Sequence, residues 1–94
     1  MKKTFKEIAK ILKEMDEIIT SMDGIAQRVY IQVCGNGIDD DYDGNIDNVL
    51  RDMKNEYTEY FYNLIMKAEF DGSDTAYIED SDGYKYSVTI YLHQ

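Results

Sequence analysis

The chain has 94 residues and a formal charge of −9, with 44% apolar and 31% charged residues. That length holds one domain, residues 1–94, around a small core, and excludes a multidomain enzyme. The composition excludes an acidic disordered tail, a basic nucleic-acid binder, a membrane span of ~20 apolar residues and, with Cys34 as its one cysteine, a disulfide scaffold.

Thr4 and Glu7 open the first predicted helix at capping-box spacing, each side chain placed to satisfy the other's backbone N–H. Phe5, Ile8, Leu12, Met15, Ile19 and Met22 follow in steps of three and four, which draws one apolar stripe along a helix. The same spacing is close to an a/d repeat and also fits a homodimer through this helix. Asp23-Gly24 is the expected stop.

Residues 28–34 alternate: Val29, Ile31 and Val33 on one side, Arg28, Tyr30, Gln32 and Cys34 on the other. Branched residues at period two predict a strand with one buried face. Gly35-Asn36-Gly37 breaks it, and an acidic loop is expected over residues 39–47. A second helix is expected from Ile46 to Ala68, with Ile46, Val49, Leu50, Met53, Tyr57, Tyr60, Phe61, Leu64 and Ile65 on its apolar face. Asp71-Gly72 ends it. Two strands then flank Ser81-Asp82-Gly83; a three-residue turn sets Glu79 opposite Lys85 and gathers Ala76, Ile78, Tyr84, Tyr86, Val88 and Ile90 on one face. The expected fold is α+β, in the order α-β-α-β-β, with helices packed on a three-stranded antiparallel sheet. Leu12, Met15, Ile19, Val29, Ile31, Leu64, Val88 and Ile90 are the expected core.

Charge is unevenly spread. Residues 1–13 carry five lysines against Glu7, a local +4, so the other 81 residues carry −13. Residues 29–50 hold Asp39, Asp40, Asp41, Asp43 and Asp47 with no base, and residues 68–84 hold Glu69, Asp71, Asp74, Glu79, Asp80 and Asp82, again with none. Acids packed this closely repel and work against the compact state.

The run from Asp39 to Asp47 places oxygens at positions 1, 3, 5 and 9 of a loop, glycine at 6 and isoleucine at 8, as an EF-hand loop does. Residues 34–44, Cys34-Gly35-Asn36-Gly37-Ile38-Asp39-Asp40-Asp41-Tyr42-Asp43-Gly44, resemble the repeats of secreted bacterial calcium-binding proteins, with Tyr42 in place of a second cysteine. Asp39, Asp41, Asp43 and Asp47 are the candidate ligands. Leu50 stands where an EF-hand carries its bidentate Glu, so only weak Ca²⁺ binding is expected, and no other cofactor.

Nothing in the pattern supports catalysis. His93 is the only histidine, Cys34 has no sequence-near histidine, and no nucleophile elbow, phosphate loop or Cys-x-x-Cys is present. Of the nine tyrosines, Tyr57, Tyr60, Tyr77, Tyr84 and Tyr86 are expected in the core or at its rim, and Tyr42, Tyr62 and Tyr91 fall outside the apolar faces near acids. Tyrosine suits interfaces because a large rigid ring carries a polar tip.

In size, acidity, the lack of Pro and Trp, and α/β make-up, the chain resembles the small acidic inhibitors of phages and mobile elements, the anti-restriction and anti-CRISPR proteins that mimic DNA. The resemblance implies a non-enzymatic protein in the host cytoplasm. Its partner would be a basic nucleic-acid-binding protein such as a CRISPR or restriction nuclease, with no membrane and no nucleic acid bound directly. Asp39, Asp40, Asp41, Tyr42 and Asp43, then Asp52, Glu56 and Glu59, then Asp71, Asp74, Asp80 and Asp82, are the residues expected to meet its Lys and Arg side chains.

Overall fold

The period-two run at residues 28–34 forms the centre of the fold. In the computed structural model, which describes residues 2–22, 24 and 27–93, β2 (Arg28–Gly35) has a neighbour on each side. It pairs antiparallel with β3 (Ile38–Gly44) and with β6 (Lys85–His93), and β6 pairs antiparallel with β5 (Thr75–Glu79). The sheet therefore has four strands in the order β3-β2-β6-β5. Val29, Ile31, Val33 and Val88 are fully buried on one face of it. Each such side chain contributes roughly 1.5–3 kcal/mol by leaving water.

Two features correct the three-stranded expectation. The acidic segment is strand, not loop, because Asn36 and Gly37 both take positive φ (46° and 84°) and reverse the chain in two residues. Asn-Gly is the dipeptide such a turn prefers. Gly35 is required where this hairpin meets β6: a Cβ there would lie 2.5 Å from the Lys85 carbonyl oxygen. A second, two-stranded sheet joins the segment before α1 to the segment after α3, with β1 (Lys2–Thr4) antiparallel to β4 (Glu69–Asp71). The β5–β6 register is the one that sets Glu79 opposite Lys85 and Ile78 opposite Tyr86.

The helices differ from expectation at one break. Residues 46–68 form two helices, α2 (Ile46–Glu56) and α3 (Glu59–Met66). The backbone turns extended at Tyr57, and the Thr58 hydroxyl accepts from the Phe61 N–H to cap α3. Asn45 caps α2 in the same way. The break lets Val49, Leu50 and Met53 pack with Phe61 and Ile65 in one core. α2 lies against β2 and β3, and α1 (Phe5–Ser21) packs on α2 and α3. The Thr4–Glu7 capping box is formed, with Thr4 N donating to Glu7 Oε1 and Glu7 N to Thr4 Oγ1, both at 3.2 Å. These bonds hold the Glu7 carboxyl below the usual range, the backbone N–H of Thr4 first.

Part of the expected core is not buried. Phe5 and Leu12 are, but Met15 is exposed and Ile19, Leu64 and Ile90 are only half-buried. α1, about 25 Å long at ~1.5 Å per residue, outruns the 11-residue α2 beneath it. The Gly24 N–H closes onto Ile19 O at 2.8 Å; Asp23 lies outside the described residues. No helix among the described residues is long and apolar enough to cross a membrane.

The assignment of faces predicts unequal costs in urea denaturation. Ile31→Ala should remove ~2–5 kcal/mol of stability. Tyr77→Ala, on the opposite face and 79% exposed, should stay within ~0.5 kcal/mol. Equal losses would contradict the facing of the sheet.

Candidate functional site

Helices cover one face of the four-stranded sheet; no described element covers the other. Registers place its side chains in rows. Asp43, Tyr30 and Tyr91 form one; Asp41, Gln32, Thr89 and Thr75 the next; Asp39, Cys34, Ser87 and Tyr77 the third. Asp39, Asp41 and Asp43 thus stand in a column along the edge strand, all exposed. Small residues occupy the middle. Tyrosines rise at two corners, Tyr30 and Tyr91 stacked with centroids 6.1 Å apart and Tyr77 across from them.

The column has few compensating charges. Arg28 meets Asp43, Nη2 to Oδ2 at 3.0 Å and Nε to Oδ1 at 3.2 Å, as an exposed pair. Asp41 accepts a hydrogen bond from the Tyr30 hydroxyl, which with burial and the charges of Asp41 and Asp39 pushes the phenol up to about 12. The Cys34 thiol donates to Asp39 Oδ1 at 3.5 Å. Burial first and Asp39 next push its pKa up, so it is held protonated rather than prepared as a nucleophile.

Asp40 and Tyr42 turn the other way. Alternation aims them at the helices, where Tyr42 is buried and its hydroxyl donates to Glu56 Oε2 at 2.6 Å, while Tyr57 donates to Asp40 Oδ2 at 2.8 Å. Burial first keeps both phenols far above their usual range; Glu56 adds to it at Tyr42, and the Tyr42 hydroxyl and then Asp40 add to it at Tyr57, while the Tyr57 hydroxyl works in the opposite direction on Tyr42. The rings continue edge-to-face from Tyr42 through Tyr57 and Phe61 to Tyr86, whose hydroxyl donates to Asp80 at 2.8 Å. Burial opposes ionisation of Asp80, but the Tyr86 hydroxyl and the N–H groups of Tyr84, Asp82 and Gly83 outweigh it and lower its pKa.

The other candidates scatter. Asp80 and Asp82 sit in the β5–β6 turn, at the same end of the sheet as Asn36, which bonds the Tyr86 hydroxyl. Tyr60 in α3 ties to that turn by accepting from Ser81 N. Asp52 is exposed on α2, and Glu59 opens α3. Asp71 pairs with Lys2 in the small sheet, and the Asp74 carbonyl accepts from Ile90 N. Asp47, in the first turn of α2, meets Lys13 at 3.5 Å. The four proposed Ca²⁺ ligands are not gathered. Alternate strand residues lie ~6.6–6.8 Å apart, whereas calcium draws its oxygens to within ~2.3–2.6 Å of the ion. Among the described residues no group of three or more His, Cys, Asp or Glu is placed to hold a metal.

Tyr30, Gln32 and Tyr77 belong to the face although they were not among the expected site residues. Alternation contained them: Ala76 and Ile78 inward put Tyr77 outward. Tyr60, Tyr77 and Tyr84, expected in or beside the core, are more than half exposed. No family model, curated protein or solved structure matches this chain.

The column predicts an alkaline signature. Below pH 10 Tyr30 is protonated whether the chain is folded or not. Between about 10 and about 12 only the unfolded chain ionises there, so the Tyr30 contribution to stability falls through that window. Phenolate absorbance should show Asp41→Asn lowering the Tyr30 pKa toward 10. An unchanged titration would show that Asp41 does not hold the Tyr30 proton.

Proposed function

We propose that the chain is a non-enzymatic inhibitor of phage or mobile-element type that occupies the Lys/Arg-lined channel of a nucleic-acid-binding defence protein, a CRISPR or restriction nuclease, in the host cytoplasm. The observation that carries this reading is the column of Asp39, Asp41 and Asp43 on the uncovered sheet face. Its ~6.6–6.8 Å repeat sets negative charges in a line at the few-ångström scale of DNA, where one strand gains ~3.4 Å of axis per phosphate. Carboxylates accept from Arg in the same forked geometry as phosphates. Tyr30 and Tyr91 beside the column offer a stacked pair of rings for the guanidinium planes of such a channel.

Edge protection alone needs less. A charge or two suffices to keep an edge strand from pairing with another chain, and β3 carries four acids in seven residues. Asp40 does not belong to the mimic surface in this reading, since its carboxylate is committed to Tyr57. The lysines of α1 lie in the helical layer, on the far side of the sheet from the column.

The test is capture of the nuclease from host lysate, identification by mass spectrometry, and a cleavage assay with the purified partner. Binding should weaken with salt, and duplex DNA should compete. Asp39→Lys with Asp41→Lys reverses four charge units without touching a buried group and should weaken inhibition at least about tenfold. Lys6→Glu with Lys10→Glu should leave it intact. Full inhibition by the Asp→Lys variant, with no competition from DNA, would refute the reading.

A further inference from the structure

We infer that the hollow between α1 and α3 is a binding site for a nucleoside monophosphate. Lys6 of α1 lines it together with Tyr62, Asn63 and Met66 of α3 and Lys67, the residue that caps α3. Tyr62 with Met66 and Asn63 with Lys67 are adjacent i,i+4 pairs, so the four form one face at the end of α3. Lys6 reaches the same hollow from the first turn of α1. Its volume is about 340 Å³, within the ~300–1,000 Å³ of small-ligand sites. The hollow belongs to the helical layer, on the far side of the sheet from the acidic column.

Charge selects a dianion. The chain carries 19 acids against 10 bases, and Lys2, Lys13 and Arg28 each meet a carboxylate. Lys6 and Lys67 have no ion-pair partner among the described residues. The acids nearest to them in the sequence are held elsewhere, Glu7 by the Thr4 N–H and hydroxyl and Glu69 by Lys2 at 3.8 Å. Two ammonium groups beside one hollow repel, and a ligand with two negative charges relieves that repulsion. A phosphomonoester carries about −1.5 to −2 at pH 7 and offers three acceptor oxygens. Lysine binds phosphate as a point charge. Beyond Tyr62 and Asn63, Lys54 and Glu59 line the adjoining hollow with opposite signs and add no net charge.

The other walls select what the phosphate is attached to. Tyr62 and Met66 are half-buried and packed on the core, so the ring and the thioether are in place before a ligand arrives. An aromatic ring gives a nucleobase a stacking surface, and a thioether packs well against its edge. Asn63 is exposed, and its carboxamide has no partner among the described residues. One acceptor beside two donors matches the N6 and N7 edge of adenine. Adenosine 5′-monophosphate therefore has a part for each wall: the base for Tyr62 and Met66, its edge for Asn63, and the phosphate for Lys6 and Lys67.

Calorimetric titration of the full chain with adenosine 5′-monophosphate tests the site. One molecule should bind per chain with a Kd on the order of 10–100 μM, and affinity should fall as salt rises. Adenosine and inorganic phosphate, each lacking one half of the ligand, should bind at least about tenfold more weakly. Lys6→Gln with Lys67→Gln should weaken binding at least about tenfold. Lys13→Gln with Lys85→Gln, the same loss of charge elsewhere, should bind as the wild type does. Asn63→Leu should narrow the preference for adenosine over uridine monophosphate. All five substituted residues are exposed, so each variant should keep its cooperative melt. No heat of binding and no rise in melting temperature at millimolar nucleotide, or equal affinities of the two double variants, overturns the site. Inorganic phosphate that binds as tightly as the nucleotide overturns the nucleoside assignment.

Discussion

Asn36 and Gly37, both at positive φ, reverse the chain in two residues and so fix which side of β3 every acid faces. A turn one residue longer would shift the pairing by one and exchange the faces. Asp39, Asp41 and Asp43 would then point at the helices, where desolvation would have to neutralise them. In the observed register only Asp40 turns inward, and Tyr57 meets it. The hairpin also needs Gly35, since no side chain fits between its end and β6. One tight turn therefore separates the acids into exposed and structural groups.

The structural group explains how so small and acidic a chain holds its helices to its sheet. Glu56 receives the Tyr42 hydroxyl, Asp40 that of Tyr57, and Asp80 that of Tyr86. The rings between them touch edge-to-face through Phe61. Each contact brings apolar area into the core and satisfies a phenol that would otherwise be buried unpaired. Among the described residues no buried side-chain polar atom lacks a partner. Three acids that composition alone assigns to a binding surface thus serve as acceptors for tyrosine.

What the amino-acid sequence shows depends on how far its signals reach. The Thr4–Glu7 box spans three residues, and the alternation in β2 needs only its own strand, so both are legible. The β5–β6 register follows from pairing Glu79 with Lys85. β3 is obscured because aspartate stands on both of its faces, and the inward Asp40 makes sense only beside Tyr57, 17 residues away. The break between α2 and α3 is hidden because the apolar stripe runs on through Tyr57 as though the helix continued, although Thr58 caps α3 there and the Tyr57 hydroxyl ends on Asp40. β1 and β4 have three residues each and exist because distant parts of the chain meet. Asn36-Gly37, by contrast, is a local hairpin signal, and reading it as one converts the following acids from loop to strand. It also places Asp39, Asp41 and Asp43 in extended chain, where an EF-hand loop bends.

The exposed column sets like charges side by side, which works against the compact state. Successive carboxylates of the Asp39, Asp41 and Asp43 column, ~6.6–6.8 Å apart, lie within the ~8 Å over which charges still act on one another at physiological ionic strength. On their face Arg28 pairs with Asp43, while among the described residues Asp39 accepts from a thiol and Asp41 from a phenol. Each of those neutral donors is held protonated by the carboxylate it serves, so neither supplies a positive charge. An incoming guanidinium would meet carboxylates already aligned and already repelling, and binding would relieve that repulsion as well as form new bonds. Tyr30 and Tyr91, stacked against each other beside the column, lose little freedom in providing the flanking apolar surface. Preorganised carboxylates with a rigid aromatic shoulder are what a surface needs to compete with a polyanion for the same basic channel.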